Sequence, residues 1–211
     1  YDASEGEVLI DGKNVKDYSF RGLYDKMGYV TQKAVLFSDT IEGNVAFGEA
    51  AQAITEEDVK KAIDISQAQE FIDKMEEGLY SHIAQSGGNV SGGQKQRLSI
   101  ARAIARNPEI LIFDDSFSAL DYKTDKELRR RLSTDLKGTT CVIVAQRIGT
   151  IRHADKIIVL DDGKMAGIGT HEELMKNCEF IRKLLYLSFQ KRNLRKGDAE
   201  SCIKKDKNQR I

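Results

Sequence analysis

Apolar and polar positions change their rhythm part-way along the chain. Near the N-terminus, Glu7-Val8-Leu9-Ile10 runs into Asp11-Gly12, a dipeptide that favours a tight hairpin. Met27 to Thr31 is a further short apolar strand. Between Thr55 and Met75 the apolar positions Val59, Ile63, Phe71, Ile72 and Met75 follow helical spacing with a break near Ser66, which predicts two short helices. Beyond Pro108 the pattern becomes continuous. Ile110-Leu111-Ile112-Phe113, Cys141-Val142-Ile143-Val144-Ala145 and Ile157-Ile158-Val159-Leu160 are uninterrupted apolar runs, as expected of strands buried on both faces of a parallel sheet. Polar segments of helix length, such as Lys123 to Leu136, lie between them, and the alternation predicts an α/β core with right-handed crossovers. Met165 to Gly169 reads as a last strand, Thr170-His171-Glu172-Glu173 as a capping box opening a helix, and Glu179 to about Gln190 as more helix. No internal repeat and no linker interrupts the chain before Lys191.

Composition agrees with a soluble globular chain: 40% of the 211 residues are hydrophobic and 31% charged. No stretch approaches the roughly 18 consecutive apolar residues of a membrane span, and no basic-then-apolar leader begins at Tyr1. Cys141, Cys178 and Cys202 are odd in number and widely spaced, fitting neither a disulfide framework nor a zinc site. That spacing suggests a reducing, intracellular setting. Basic and acidic residues balance at 33 each, which gives no overall bias toward nucleic acid. The balance hides a split, because residues 191–211 carry eight basic and three acidic side chains. This tail has few apolar residues and no period, so a solvated disordered end is expected, with contact to anionic lipid or a partner as the alternative.

Two segments carry candidate chemistry. The run Ile110–Phe113 delivers two carboxylates, Asp114 and Asp115, to its tip, and open α/β sheets bind ligands beyond the carboxyl ends of their strands. An acid in that position suits Mg²⁺ held against nucleotide phosphates. Upstream, Ser91-Gly92-Gly93-Gln94 combines a capping box with two glycines in the first helical turn. Unshielded backbone N–H groups at the positive end of a helix suit a terminal phosphate.

Together these segments resemble the nucleotide-binding domain of ATP-binding cassette (ABC) transporters. Ser91-Gly92-Gly93-Gln94 matches the family's signature motif, Ile110 to Asp114 its Walker B strand, and Ser118-Ala119-Leu120-Asp121 its D-loop. Gln32 matches the Q-loop glutamine, and Val35-Leu36-Phe37-Ser38-Asp39-Thr40-Ile41 resembles the exporter branch. The resemblance covers Tyr1 to about Gln190. It implies a P-loop NTPase-like parallel sheet covered by helices, with an N-terminal antiparallel β portion and a helical signature-motif subdomain at about residues 40–106. On this reading residues 1–190 form the nucleotide-binding domain and 191–211 the tail.

The implied activity is ATP hydrolysis with Mg²⁺ in a head-to-tail dimer at the cytoplasmic face of the cell membrane, coupled to transmembrane domains. Gln32 and Asp114 would help hold Mg²⁺, and Ser91, Gly92, Gly93 and Gln94 would meet ATP bound to the partner domain, with Asp121 alongside. The implied partners are a second nucleotide-binding domain and transmembrane domains fused upstream, not nucleic acid.

Three departures shape the expectation. The pattern G-x-x-x-x-G-K-[ST] occurs nowhere in the chain, and neither Gly12-Lys13 nor Gly163-Lys164 supplies it. A polypeptide cut after its phosphate loop, inactive by itself, is therefore expected. The family's catalytic glutamate is replaced by Asp115, which is one methylene shorter, and the switch histidine by Gln146, which cannot carry imidazolium charge. These two changes suggest the degenerate-site subunit of a heterodimer, with the intact signature completing a partner's competent site. Tolerated variation in a homodimer is the alternative. His82 stands where exporters usually carry glutamate, while the run Arg129-Arg130-Arg131 reads as a solvated face. A DNA- or ribosome-associated ATPase and a non-catalytic regulatory cassette are the other function classes; the absence of a heptad run disfavours the first of them.

Overall fold

The computed structural model describes residues 2–50, 52–183 and 185. Their contacts divide the chain into two compact units, with the boundary between Val144 and Ala145.

The first unit opens on the antiparallel hairpin β1 (Leu9–Ile10) and β2 (Lys13–Asn14). Asp11 and Gly12 take φ of 51° and 74°, the paired positive angles of the tight turn that such a dipeptide favours. Helix α1 (Phe20–Lys26) follows, its N-terminus capped by the Ser19 hydroxyl, and leads directly into β3 (Met27–Val30). Next come β4 (Asp39–Thr40), α2 (Ile41–Val45), α3 (Glu56–Ile65) and α4 (Gln69–Ile72). Strand β5 (His82–Ile83) pairs antiparallel with β4. The break expected near Ser66 separates α3 from α4, with Gln67 at a φ of 62°. The unit is completed by α5 (Gly92–Ala105), β6 (Ile110–Asp114), α6 (Tyr122–Asp135) and β7 (Thr140–Val144).

Strands β3, β6 and β7 form a parallel sheet in that order. The register sets Tyr29 level with Ile112, and Asp114 level with Val144. Val30, Leu111 and Phe113 are fully buried on one face, in the same apolar cluster as α3 and as Leu98, Ile100, Ala101 and Ile104 of α5. Tyr29, Val142 and Val144 are each about half exposed (46–55%). The expectation of strands buried on both faces therefore needs correcting. Among the described residues the sheet is covered on one side, and β6 alternates in burial despite its unbroken apolar sequence. Strand β7 is an edge with one neighbour, so its run is largely exposed.

The arginine run on α6 is also more than a solvated face. Arg129 pairs with Asp125 at 2.9 Å and both side chains are largely buried, Arg130 pairs with Glu127, and Arg131 reaches Asp135 and, across to α3, Asp64.

The second unit contains α7 (Ile148–Ile151), β8 (Ile157–Asp161), β9 (Lys164–Gly169) and α8 (His171–Asn177). Its run Ile157–Leu160 does not join the parallel sheet. It pairs antiparallel with β9 through Asp162-Gly163, a second turn of paired positive φ, with an irregularity at Val159/Leu160. Val159 is buried while Ile158 and Leu160 are exposed, the one-sided burial of a two-stranded ribbon. The capping box of Thr170 and Glu173 opens α8 as its sequence predicts. Ile148, Ile157, Val159, Leu174, Cys178 and Ile181 form this unit's own core. Residues 179–183 are helical; the rest of the helix expected to about Gln190 and the whole of 191–211 lie outside the described residues. Among the described residues no helix is long and apolar enough to cross a membrane.

Candidate functional site

The parallel sheet brings three of the candidate residues to one end. Asp114 closes β6, Asp115 follows it, and Gln32 lies two residues beyond β3. Asp115 adopts a φ of 44°, a region that aspartate tolerates better than most residues, and its N–H donates to the Val144 carbonyl at 3.0 Å. Its own carbonyl accepts from the Ser118 hydroxyl at 2.8 Å. The turn after β6 is thus fixed at both ends, by the last residue of β7 and by the loop leading to α6.

The side chains converge as well. Gln32 Nε2 donates to Asp115 Oδ2 at 3.3 Å, and the Tyr29 hydroxyl donates to Asp114 Oδ2 at 3.0 Å. The Tyr29 phenol is pushed up from its ordinary value, chiefly because Asp114 holds its proton, so at neutral pH it remains a donor. Ser116 is fully buried, and its hydroxyl donates to the Val30 carbonyl at 3.1 Å, tying the β6 turn to the end of β3. Gln96 of α5, also buried, donates to the Thr31 carbonyl at 3.2 Å and anchors the segment that carries Gln32.

The signature-like segment is built as its sequence predicts. Ser91 caps α5, accepting from the Gln94 N–H at 3.3 Å, while Gln94 Oε1 accepts from the Ser91 N–H at 2.8 Å. A Cβ at Gly92 would meet nothing within 4 Å, and one at Gly93 only the Ala119 carbonyl at 3.4 Å. Neither glycine is required by the chain's own packing, although each disfavours helix by roughly 0.5–1 kcal/mol relative to alanine. Lys95, the residue after Gln94, donates to the Ser86 carbonyl at 2.9 Å, and upstream Asn89 bridges the Ala84 N–H and the His82 carbonyl. His82 itself is exposed on β5, with Nε2 3.5 Å from the Ser38 hydroxyl.

Asp121 is placed as the N-cap of α6. Its Oδ1 accepts from the N–H groups of Lys123 and Thr124, both at 3.0 Å, and its Oδ2 from the Thr124 hydroxyl at 2.6 Å. The Thr124 hydroxyl leads in holding this carboxyl below its usual range. A lowered folded-state pKa means the stabilisation is complete above the ordinary carboxylate range and is lost as pH falls through the lowered value. Asp121→Ala is expected to cost about 1 kcal/mol at neutral pH. Melting curves of the two proteins against pH should converge in acid; a constant gap would rule out the charged cap. Gln146 belongs to the second unit, exposed and two residues beyond the end of β7.

The family model described as ABC transporter matches residues 1–118, more than half of the chain. The chain belongs to the ABC transporter family. It is 42% identical over 189 residues to an ATP-dependent lipid A-core flippase of Hahella chejuensis, covering 90% of this chain and 32% of that protein. ABC transporter B family member 21 of Arabidopsis thaliana is 40% identical over 179 residues, 85% of this chain and 14% of that one. Among solved structures, a bacterial Atm1-family ABC exporter with ATP bound superposes with a TM-score of 0.83 at 33% identity, over 89% of this chain and 33% of that chain. The chain thus spans about a third or less of each of these relatives.

The donor set suits the Mg²⁺ that accompanies ATP in such domains. Among the described residues no group of three or more His, Cys, Asp or Glu could hold a metal ion. Asp114 offers a carboxylate, and Gln32, whose amide nitrogen faces Asp115, offers its amide oxygen. One or two hard oxygen donors, completed by phosphate and water, is how Mg²⁺ is usually held.

Sequence reasoning passed over Tyr29, Gln96, Asn44 and Arg102. Arg102 of α5 donates through Nε to the Asn44 carbonyl at 2.7 Å, and through its two amino groups to the Val35 carbonyl at 2.9 Å and Asn44 Oδ1 at 3.0 Å. It also lies over the stacked rings of Phe37 and Phe47, whose centroids are 4.1 Å apart. Asn44 is buried and grips the Phe37 backbone through both its N–H and its carbonyl. A basic residue inside an otherwise apolar helical run was the available signal.

Proposed function

We propose that this chain is the ATP-binding part of an exporter-type ABC subunit, working in a head-to-tail pair with a second nucleotide-binding domain at the cytoplasmic face of the membrane. Residues 1–190 serve as that domain, with about 40–106 as its signature-bearing helical part, and transmembrane domains belong to the same full-length polypeptide. Gln32 and Asp114 hold Mg²⁺, Ser91 to Gln94 face ATP carried by the partner domain, and Asp121 lies near that junction. Mg²⁺ bound with ATP would neutralise charge developing on the transferred phosphoryl group. Asp114 presents a carboxylate to the ion, Asp115 stands in the sequence where the family has its water-activating glutamate and Gln146 where it has its switch histidine, and the glycines of α5 admit phosphate to the helix N-terminus.

The finer reading is that this chain contributes a degenerate site. The observation that supports it is Asp115: its backbone is fixed by Val144, and its short carboxylate rests on the Gln32 amide. Gln146 supports the same reading, because glutamine hydrogen-bonds phosphate without gaining charge. ATP turnover should be measured for the full-length protein alone and with its candidate partner. Turnover at background alone, and restored by a partner carrying glutamate and histidine at the two positions, is the expected result. Robust turnover by the unmodified chain alone would identify a homodimer with tolerated variation.

A further inference from the structure

We propose that Tyr29 is a positioning residue for the metal-holding carboxylate, fixing one oxygen of Asp114 so that the other faces the ion. This rests on the reading of Asp114 as the Mg²⁺ ligand given above.

The parallel register makes the contact possible. Tyr29 stands level with Ile112, and Asp114 is two residues further along the same strand, on the same face. A phenol leaning along its strand therefore reaches the carboxylate at the tip of its neighbour. The hydroxyl meets Oδ2 at 3.0 Å, and the ring lies on the exposed face of the sheet. Asp115 meets a different donor, its Oδ2 accepting from the Gln32 amide at 3.3 Å. The two neighbouring acids thus have separate donors: the Asp114 carboxylate is gripped from β3, the Asp115 carboxylate from the segment just beyond it.

A carboxylate free to rotate presents either oxygen and both lone-pair directions to a cation. Holding Oδ2 with a donor leaves Oδ1 as the ligating atom and removes that rotational freedom before the ion arrives. Hydrogen-bond partners of metal ligands commonly carry 10–100-fold in metal affinity when removed. The phenol does so here without adding charge, so nucleotide binding in the absence of metal is unaffected by it.

The test uses the full-length protein with its partner domain, saturated with a non-hydrolysable ATP analogue and titrated with Mn²⁺ read by electron paramagnetic resonance. Asp114→Asn defines the Mn²⁺ held at this chain's site as the fraction it removes. Tyr29→Phe keeps the ring and deletes the hydroxyl. It is expected to raise the Mn²⁺ half-saturation of that fraction roughly tenfold. Analogue affinity measured in EDTA, and the melting temperature, should stay at the unmodified protein's values. If Asp114→Asn removes the fraction while Tyr29→Phe binds Mn²⁺ as tightly as the unmodified protein, or more tightly, the role of Tyr29 is overturned and the site stands. If Asp114→Asn removes nothing, the site itself is misassigned and the role of Tyr29 falls with it.

Discussion

Asp115→Glu combined with Gln146→His is expected to raise steady-state ATP turnover of the full-length protein by roughly 10²-fold at this chain's site, since misplacing a reacting group by about 1 Å costs that much. The backbone at position 115 is held from both sides, by its N–H on Val144 and its carbonyl on Ser118. Adding a methylene therefore moves the carboxylate outward and does not relax the turn. The longer side chain is also expected to weaken the contact with the Gln32 amide. Histidine at 146 adds a group that can be cationic near neutral pH, which glutamine never is. If both positions serve hydrolysis as proposed, each single change should give only part of the gain, since effects of groups that act as a unit are not additive. Phosphate release under initial-rate conditions decides the matter. An unmodified protein that already matches the double variant would remove the degenerate-site reading.

The second large effect concerns stability. Arg102→Ala is expected to destabilise the first unit by about 2–4 kcal/mol, because a half-buried cation with three hydrogen bonds is removed, the Asn44 and Val35 carbonyls lose its donors, and Asn44 Oδ1 keeps only the Phe37 N–H. For a chain of this size that corresponds to a fall in melting temperature of roughly 5–15 °C. Arg102→Lys should recover little of it, since an ammonium cannot present a planar fork to two carbonyls and an amide oxygen at once. Amides of residues 35–47 should exchange faster in both variants, while those of β6 stay protected. A lysine variant that melts with the unmodified protein would show that charge alone suffices there.

Much of the fold was legible because it is written in local chemistry. Asp11-Gly12 declared its hairpin, Ser91 with Gln94 and Thr170 with Glu173 declared helix starts, and Ser66 marked the break between α3 and α4. Asp162-Gly163 carried the same turn signal as Asp11-Gly12, and reading it would have separated Ile157–Leu160 from the parallel sheet. What the pattern could not express is which face of a strand finds a cover. Ile110–Phe113 and Ile157–Leu160 are equally apolar, yet the first is central in a three-stranded sheet and the second half of a ribbon.

The candidate site divides in the same way. Asp114, Asp115, Gln32 and the signature-like turn were legible as residue types at set spacings. Tyr29 was not, because its contact depends on the register of two strands some 80 residues apart in sequence. Arg102 was hidden for a similar reason: it meets the Asn44 and Val35 carbonyls and the Asn44 side chain some 60 residues away in sequence, a contact made only by packing.

The one-sided sheet has a practical consequence. Among the described residues β3 and β7 are its outer strands, and β7 exposes Val142 and Val144 beside a row of unpaired backbone groups. An apolar edge of that kind is a template for strands of other copies. These 211 residues expressed by themselves are therefore expected to associate with increasing concentration, with β7 as one route, and a lysine at position 142 should delay it. Handling the polypeptide in isolation is a problem of colloid chemistry before it is one of enzymology.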